Sequence, residues 1–333
     1  SCTTRAKNHG AALYNINSGS VLMGAPHVGA WAAYGLGTLN QDLPTFIAMY
    51  DHRSCPETGV QLWGSGYLPA EYGGVTMRPG PVPILYVDRR PRYTAVAQQR
   101  QMEFLRSINA RHASQRTMRE PLEARVESLE TAFRMQASVP ELTDLSRETA
   151  ATKQLYGLSD PACRYFGTQL LMARRMVERG VRFIQIYHGG AVRNWDQHSK
   201  LQQEHAALAH ETDQPIAGLL TDLKQRGLLD STLIVWGGEF GRTPTSQDFT
   251  GRDHNPHGFT MWMAGGGIRG GTSVGKTDEF GLHAVEDPVN VHDLHATILH
   301  QLGIDADRLT FRFGGRDQTP TNGLGKVVHK LLR

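Results

Sequence analysis

The sequence predicts an α/β fold in which a mixed, mostly parallel sheet lies between layers of helices, with a helical segment inserted. Three observations carry that expectation. In the second half of the chain, stretches of helical period alternate with continuous apolar runs rich in Val and Ile, the pattern of strands covered on both faces. A run poor in Gly and Pro, from about residue 93 to 139, stands apart from this alternation. The composition, 39% hydrophobic and 20% charged over 333 residues, is that of a globular chain able to bury a core, and residues 1–333 are read as one domain.

From Ser1 to about Pro91 the chain is rich in Gly and Pro, so the short apolar runs PTFIAMY and PILYVD read as strands between loops. In the insertion, Val96, Met102, Leu105 and Ile108, then Leu122, Val126, Leu129 and Phe133, fit the stripes of two helices forming a cap. A helix from about Asp160 to Glu178, the strand VRFIQIYH, a long helix from about Ser199 to Gln225 and the strand TLIVWGGE come next. The strand FTMWMAGG and the helix VNVHDLHATILHQLG close the alternation, and no internal repeat is visible.

A formal charge of +3 is small for this length and the arginines are dispersed, so nucleic acid is not an expected partner. The densest basic stretch, in the insertion, is interleaved with Gln, Ser and Glu and reads as a solvated helical face. No run approaches the roughly 20 apolar residues of a membrane helix, so no membrane span is expected. The opening SCTTRAKNHG has neither Met nor an apolar signal core, and a processed or incomplete piece is expected. Cys2, Cys55 and Cys163 are odd in number and lack metal or redox spacing.

In a sheet of this class the ligand site lies beyond the carboxyl ends of the strands. VRFIQIYH runs through GGAVRN to Trp195, Asp196, Gln197 and His198; TLIVWGG ends at Glu239 and continues FGRTP; the next loop carries Asp253, His254 and His257. Carboxylate and neutral imidazole are natural ligands for Zn²⁺, Mn²⁺ or Fe, and the expected cofactor is a divalent metal, with zinc, manganese and calcium as the candidates. Acids crowded without a cation raise one another's pKa, so a metal explains the clustering. Taken singly, Asp196 reads as a helix N-cap and His254 and His257 as loop residues; as a set they read as metal ligands. Arg242 offers a fork of donors to a sulfate or phosphate oxygen, or pairs with Glu239 or Asp253. Trp195 is expected to support Asp196 rather than to act.

The stretch AGGGIRGGTSVGKTDEFG matches three patterns by letter: a dinucleotide fingerprint, a nucleophile elbow and, over 270–277, a P-loop. Each needs a helix to come after it, and the DEFGLHAVEDPVNV after Thr277 has no amphipathic period, so Lys276 is expected to bind no nucleotide.

Together HGGAVRNWDQHSK, LLTDLKQRGLLDSTLIVWGGEFGRTP, GRDHNPHGFTMWMAGGG and VHDLHATILHQLGID resemble a sulfatase-like family of bacterial secreted proteins of unknown function, within the alkaline phosphatase-like superfamily. The resemblance spans essentially the whole chain. It implies an alkaline phosphatase-like αβα sandwich, an extracytoplasmic location and hydrolysis of a small anionic ester or a sulfated or phosphorylated glycan. It also implies that Asp196 and His198 form the acid-plus-His pair of a metal site, that Glu239 is the acidic ligand after the strand, and that His254 or His257 is the late histidine. Two departures from the family pattern stand out. The superfamily's first strand, with a metal-binding aspartate, is expected before Ser1, so the residues present are expected to hold metal weakly or not at all. At the nucleophile's position stands His9, beside Asn8, which speaks against a covalent sulfo- or phospho-enzyme and implies instead a metal ligand there and direct attack by a metal-activated water, with Thr3 and Thr4 as fallback nucleophiles. The alternative to a hydrolase is a binding or structural protein that keeps the fold without chemistry.

Overall fold

The computed structural model describes residues 1–333 except 41, 79–82, 85–93, 115–119, 191–193 and 247. A parallel sheet of order β3 (Val75–Thr76), β2 (Phe46–Met49), β4 (Phe183–Ile186) organises the centre. Side chains alternate across a strand. Ile47 and Met49 accordingly enter one cluster, with Met135, Val139 and Leu142 of α4 (Glu120–Thr143) and Met172 and Met176 of α6 (Arg164–Glu178). Phe46 and Ala48 enter another, with Tyr14 of α1 (His9–Ser18) and Ala33 of α2 (Val28–Leu36). Helices therefore cover both faces, and every residue of β2 is at most 1% exposed.

Ala296 and Leu299 of α8 (Val291–Gln301) join Val28 and Ala32 of α2. Asn290 starts α8 with a reciprocal capping box to Asp293. On the other side α7 (Leu201–Gln225) packs along α6 and α5 (Ala150–Leu155). Beyond the three-stranded sheet, β5 (Leu233–Trp236) pairs antiparallel with β8 (Trp262–Gly265), and β6 (Gly241–Arg242) with β7 (His254–Asn255). The remaining pairs are short: β1 (Cys2–Thr3) with β11 (Val289–Asn290), β9 (Lys276–Thr277) with β10 (Ala284–Glu286), and β12 (Phe311–Phe313) with β13 (Arg316–Gln318). Mixed α/β is the class the sequence predicts, and the runs PTFIAMY, VRFIQIYH, TLIVWGGE and FTMWMAGG hold β2, β4, β5 and β8.

Two expectations need correction. The first ninety residues are not only strands and loops, because α1 and α2 lie there. Gly29 belongs inside α2 because the helix lies directly on β4, where a Cβ would come 2.6 Å from a ring carbon of Phe183. The helical cost of glycine is thereby offset by close packing. The strand expected in PILYVD falls on residues 85–88, outside the described residues, and Pro83 and Ile84 form a bend. The insertion is helical, α3 (Ala95–Ser114) and the first part of α4, but Val96, Ile108 and Leu129 of its apolar stripes remain exposed. Among the described residues of α4, those of its last turns reach the core; the Leu122 side chain lies outside the described residues.

The glycine-rich stretch leads into a hairpin. Lys276 and Thr277 form β9, Lys276 Nζ lies 3.0 Å from Glu286, and the Ser1 ammonium donates to the Val274 carbonyl at 2.6 Å. With no helix N-terminus behind it, the loop has no aligned amides for phosphate. Calorimetric titration of ATP with Mg²⁺ is expected to show no saturable binding in wild type or Lys276→Ala; binding lost in the variant would overturn this. Among the described residues no helix is long and apolar enough to cross a membrane.

Candidate metal centre

Two loops meet because their backbones bond to each other. After β4, the Asp196 amide donates to Asn194 Oδ1 at 3.0 Å, a local turn that sets the carboxylate's direction. The Arg252 amide then donates to the Gln197 carbonyl at 2.9 Å and the Leu201 amide to the Thr250 carbonyl at 2.9 Å. Helix α7 starts only after Lys200, so Asp196 is not its N-cap. Across β6 and β7, Arg242 stands directly opposite His254, which places both side chains on one face. Helix α1 brings His9 to the same point.

Gly251 is the contact between the loops. A Cβ there would fall 1.9 Å from the His198 carbonyl oxygen, which is backbone and cannot rotate away. Gly251→Ala is expected to push residues 196–198 off His254 and weaken metal binding at least about 10-fold, the lower end for loss of a supporting contact. Unchanged affinity by titration calorimetry would refute this.

Asp196 is the hub. Its Oδ1 lies 3.0 Å from His254 Nε2, 3.0 Å from His198 Nε2 and 2.5 Å from Arg242 Nη1; its Oδ2 lies 3.0 Å from His9 Nε2. His198 and His254 approach Nε2 to Nε2 at 3.1 Å. Ligand atoms of His9, Asp196 and His254 all fall within 4.8 Å of one another. Glu239 reaches the cluster through His9, with Oε1 2.5 Å from Nδ1. Phe240 walls the centre, its ring 4.3 Å from that of His254 and 5.0 Å from that of His9.

The outer partners decide which nitrogens carry hydrogen. His254 Nδ1 faces the Lys7 carbonyl at 2.5 Å, and a carbonyl only accepts, so Nδ1 carries a proton and Nε2 is the nitrogen turned to Asp196, 3.0 Å from Oδ1. Glu239 sets His9 in the same way. His9 Nε2 is buried without a hydrogen-bond partner, its approach to Asp196 lacking the direction of a bond. Imidazole Nε2 atoms thus converge on a carboxylate, a donor set that suits a divalent cation in place of their protons. The Glu239 hydrogen bond, against the cost of burial and together with the charges of Glu239 and Asp196, raises the His9 pKa. Burial opposes ionisation of Asp196, but bonds from Arg242 and His254 outweigh it and hold the carboxyl well below the usual range.

Behind the centre runs a buried network that sequence reasoning missed. The Trp195 indole donates to His188 Nδ1 at 3.0 Å, and His188 Nε2 lies 3.3 Å from Glu211 of α7. Arg53 joins Glu211 to Asp51, whose Oδ2 accepts the Gly189 amide at 3.1 Å. Asp51 and Arg53 stand directly after β2, in YDHRS, at the carboxyl end of a strand in the first half of the chain. Attention to strand ends there, as in the second half, would have found them. Trp195 thus sits in a support for the loop of Asp196, the role the sequence suggests for it.

Several candidates lie elsewhere. His257 stacks on His283, ring centroids 5.2 Å apart, and is not brought to Asp196. The Thr4 hydroxyl donates to Asn15 at 3.0 Å, and Thr3 pairs in β1 with Asn290. Asp160, Cys163 and His210 form another group with ligand atoms within 4.8 Å. There burial raises the thiol pKa, and Cys163 Sγ donates to the His210 carbonyl at 3.2 Å.

No curated protein and no solved structure matches the chain. A family model described as "Protein of unknown function (DUF1501)" matches residues 1–332, nearly the full length. The chain belongs to that family.

Proposed function

We propose that this protein is a metal-dependent hydrolase of sulfate or phosphate esters, built on an alkaline phosphatase-like αβα scaffold and working outside the cytoplasm. The observation that supports it most is the pair of imidazole nitrogens, His9 Nε2 and His254 Nε2, whose rings are held through Nδ1 by outer partners and which meet at the Asp196 carboxylate. Imidazole and carboxylate suit Zn²⁺ or Mn²⁺, whereas Ca²⁺ takes oxygen ligands. Asp196, His9 and His254 would hold the ion, with His198 beside them. When bound, such an ion supplies Lewis acidity to an ester oxygen and lowers the pKa of water.

The other side chains have definable work. Glu239 takes the Nδ1 proton of His9 as its hydrogen bond and so fixes the ring and its tautomer. Arg242 holds Asp196 through Nη1, and its planar fork suits a sulfate or phosphate oxygen of a small ester or a sulfated or phosphorylated glycan. Chromogenic aryl sulfate and aryl phosphate, assayed with Zn²⁺ or Mn²⁺, test the reading. Turnover is expected that chelation abolishes and that Arg242→Ala lowers roughly 100-fold, the size of losing one anion-binding donor, while metal binding survives. Metal bound at full stoichiometry with no turnover of either ester would leave a binding protein instead.

A further inference from the structure

A second convergence of unlike ligand groups lies away from the Asp196 cluster, where the start of α6 meets the middle of α7. The end of α5 and the turn after it are clamped between those helices. A Cβ on Gly167 of α6 would fall 2.1 Å from the Tyr156 carbonyl oxygen, and one on Gly218 of α7 would fall 2.5 Å from that of Leu155. Asp160 and Cys163 close this turn, just ahead of α6. Asp160 Oδ1 accepts the Ala162 amide at 2.8 Å, which fixes the carboxylate, and Oδ2 meets His210 Nε2 of α7 at 2.9 Å. The buried Cys163 thiol donates to the His210 carbonyl at 3.2 Å. One oxygen, one sulfur and one imidazole nitrogen therefore lie within 4.8 Å of one another.

The chemistry of that set selects its ligand. Thiolate, imidazole and carboxylate together suit Zn²⁺, whereas Mg²⁺ and Ca²⁺ take oxygen. Tetrahedral bonds of about 2.0–2.3 Å hold ligand atoms roughly 3.3–3.6 Å apart, so Asp160 and His210 are already near that range and the sulfur has about 1 Å to close. The adjustment falls on the imidazole and the carboxylate, whose side chains are 62% and 33% exposed. Burial first, and then the carboxylates of Asp160, Glu211 and Asp213, raise the thiol pKa and keep the free sulfur protonated. The same carboxylates attract a cation, which would take the place of the thiol proton. We propose that Asp160, Cys163 and His210 form a second divalent-metal site, suited to Zn²⁺, that ties the start of α6 to α7. On binding, the sulfur gives its proton to solvent, His210 carries its ring proton on Nδ1, and water takes the fourth position. Sequence spacing hides the set, because His210 comes 47 residues after Cys163.

Cobalt distinguishes the two clusters, because of the two only this one contains sulfur. The chain, freed of metal by chelator and then of chelator, is titrated with Co²⁺ above neutral pH. A thiolate-to-cobalt charge-transfer band is expected to rise to saturation in the near ultraviolet and to be displaced by Zn²⁺. Cys163→Ala is expected to abolish the band, whereas Cys2→Ser, Cys55→Ser and Asp196→Asn are expected to keep it. His210 is exposed on a helix that Ala suits, so His210→Ala should fold normally. It is expected to raise the cobalt dissociation constant, read from the band, at least about 10-fold, since even a supporting partner of a metal site is worth that much. No band in wild type would overturn the proposal. So would a band that survives Cys163→Ala or is lost in any of the three controls, or unchanged affinity in His210→Ala.

Discussion

Asp196→Asn is expected to lower the affinity for Zn²⁺ or Mn²⁺ by at least about 100-fold, the upper end of what losing even a supporting partner costs. Both oxygens of this one carboxylate are in use: three imidazole nitrogens and the Arg242 guanidinium meet it at 3.0 Å or less. The isosteric amide keeps the shape but removes the negative charge, leaving Arg242 to repel an incoming cation. Trp195→Phe should behave differently. It deletes the indole donor to His188, at a stability cost of about 1–3 kcal/mol for a buried acceptor left unpaired, yet leaves every atom of the cluster in place. Titration calorimetry at fixed pH separates the two, and equal loss of affinity from both changes would remove Asp196 from the centre.

Acidification from pH 7 to 5 is expected to destabilise the fold through two histidines remote from that centre. His27 and His295 are each 1% exposed, and burial lowers their pKa values from the usual imidazole range to about 3 and about 4. Both are tied to the fold as neutral rings. His27 Nδ1 accepts the Gly29 amide at 2.7 Å and caps α2, while Nε2 lies 3.0 Å from Asn17 Oδ1; His295 Nε2 donates to the Ile16 carbonyl at 2.8 Å. A second proton on His27 would destroy the cap.

The sign comes from linkage. Below about pH 6.5 the unfolded chain binds protons at these sites and the folded chain does not. Their stabilisation is therefore complete above the unfolded pKa and is lost as pH falls toward the folded values. At about 1.4 kcal/mol per unit, each histidine should cost about 2 kcal/mol between pH 6.5 and 5. His9, with its raised pKa, acts in the opposite direction, so the comparison is best made within variants. Urea unfolding of wild type and His295→Gln at both pH values reads the difference: the Gln variant can still donate to Ile16 and should lose about 2 kcal/mol less on acidification. The same loss in both proteins would show that His295 is not held neutral.

Local pattern alone carried the strand and helix order of the second half, since a continuous apolar run and a helical period are properties of neighbouring residues. It also carried the idea that the carboxylates and imidazoles after VRFIQIYH and TLIVWGGE belong together, because the carboxyl ends of strands in one fold gather the loops that carry chemistry. What local pattern misread was decided by packing over long separations. Gly29 looks like a breaker until α2 lies on Phe183, and the stripe of Val96 and Ile108 looks like core although both side chains stay exposed. Choosing His254 over His257, and tying His9 to Glu239 across 230 residues, required the pairing of β6 with β7 and the seating of α1 against both loops. Spacing in a sequence says which groups are available to a site. Only the folded chain fixes which ring nitrogens point at Asp196, because those directions are set by the Lys7 carbonyl and the Glu239 carboxylate, contributed by segments far away in sequence.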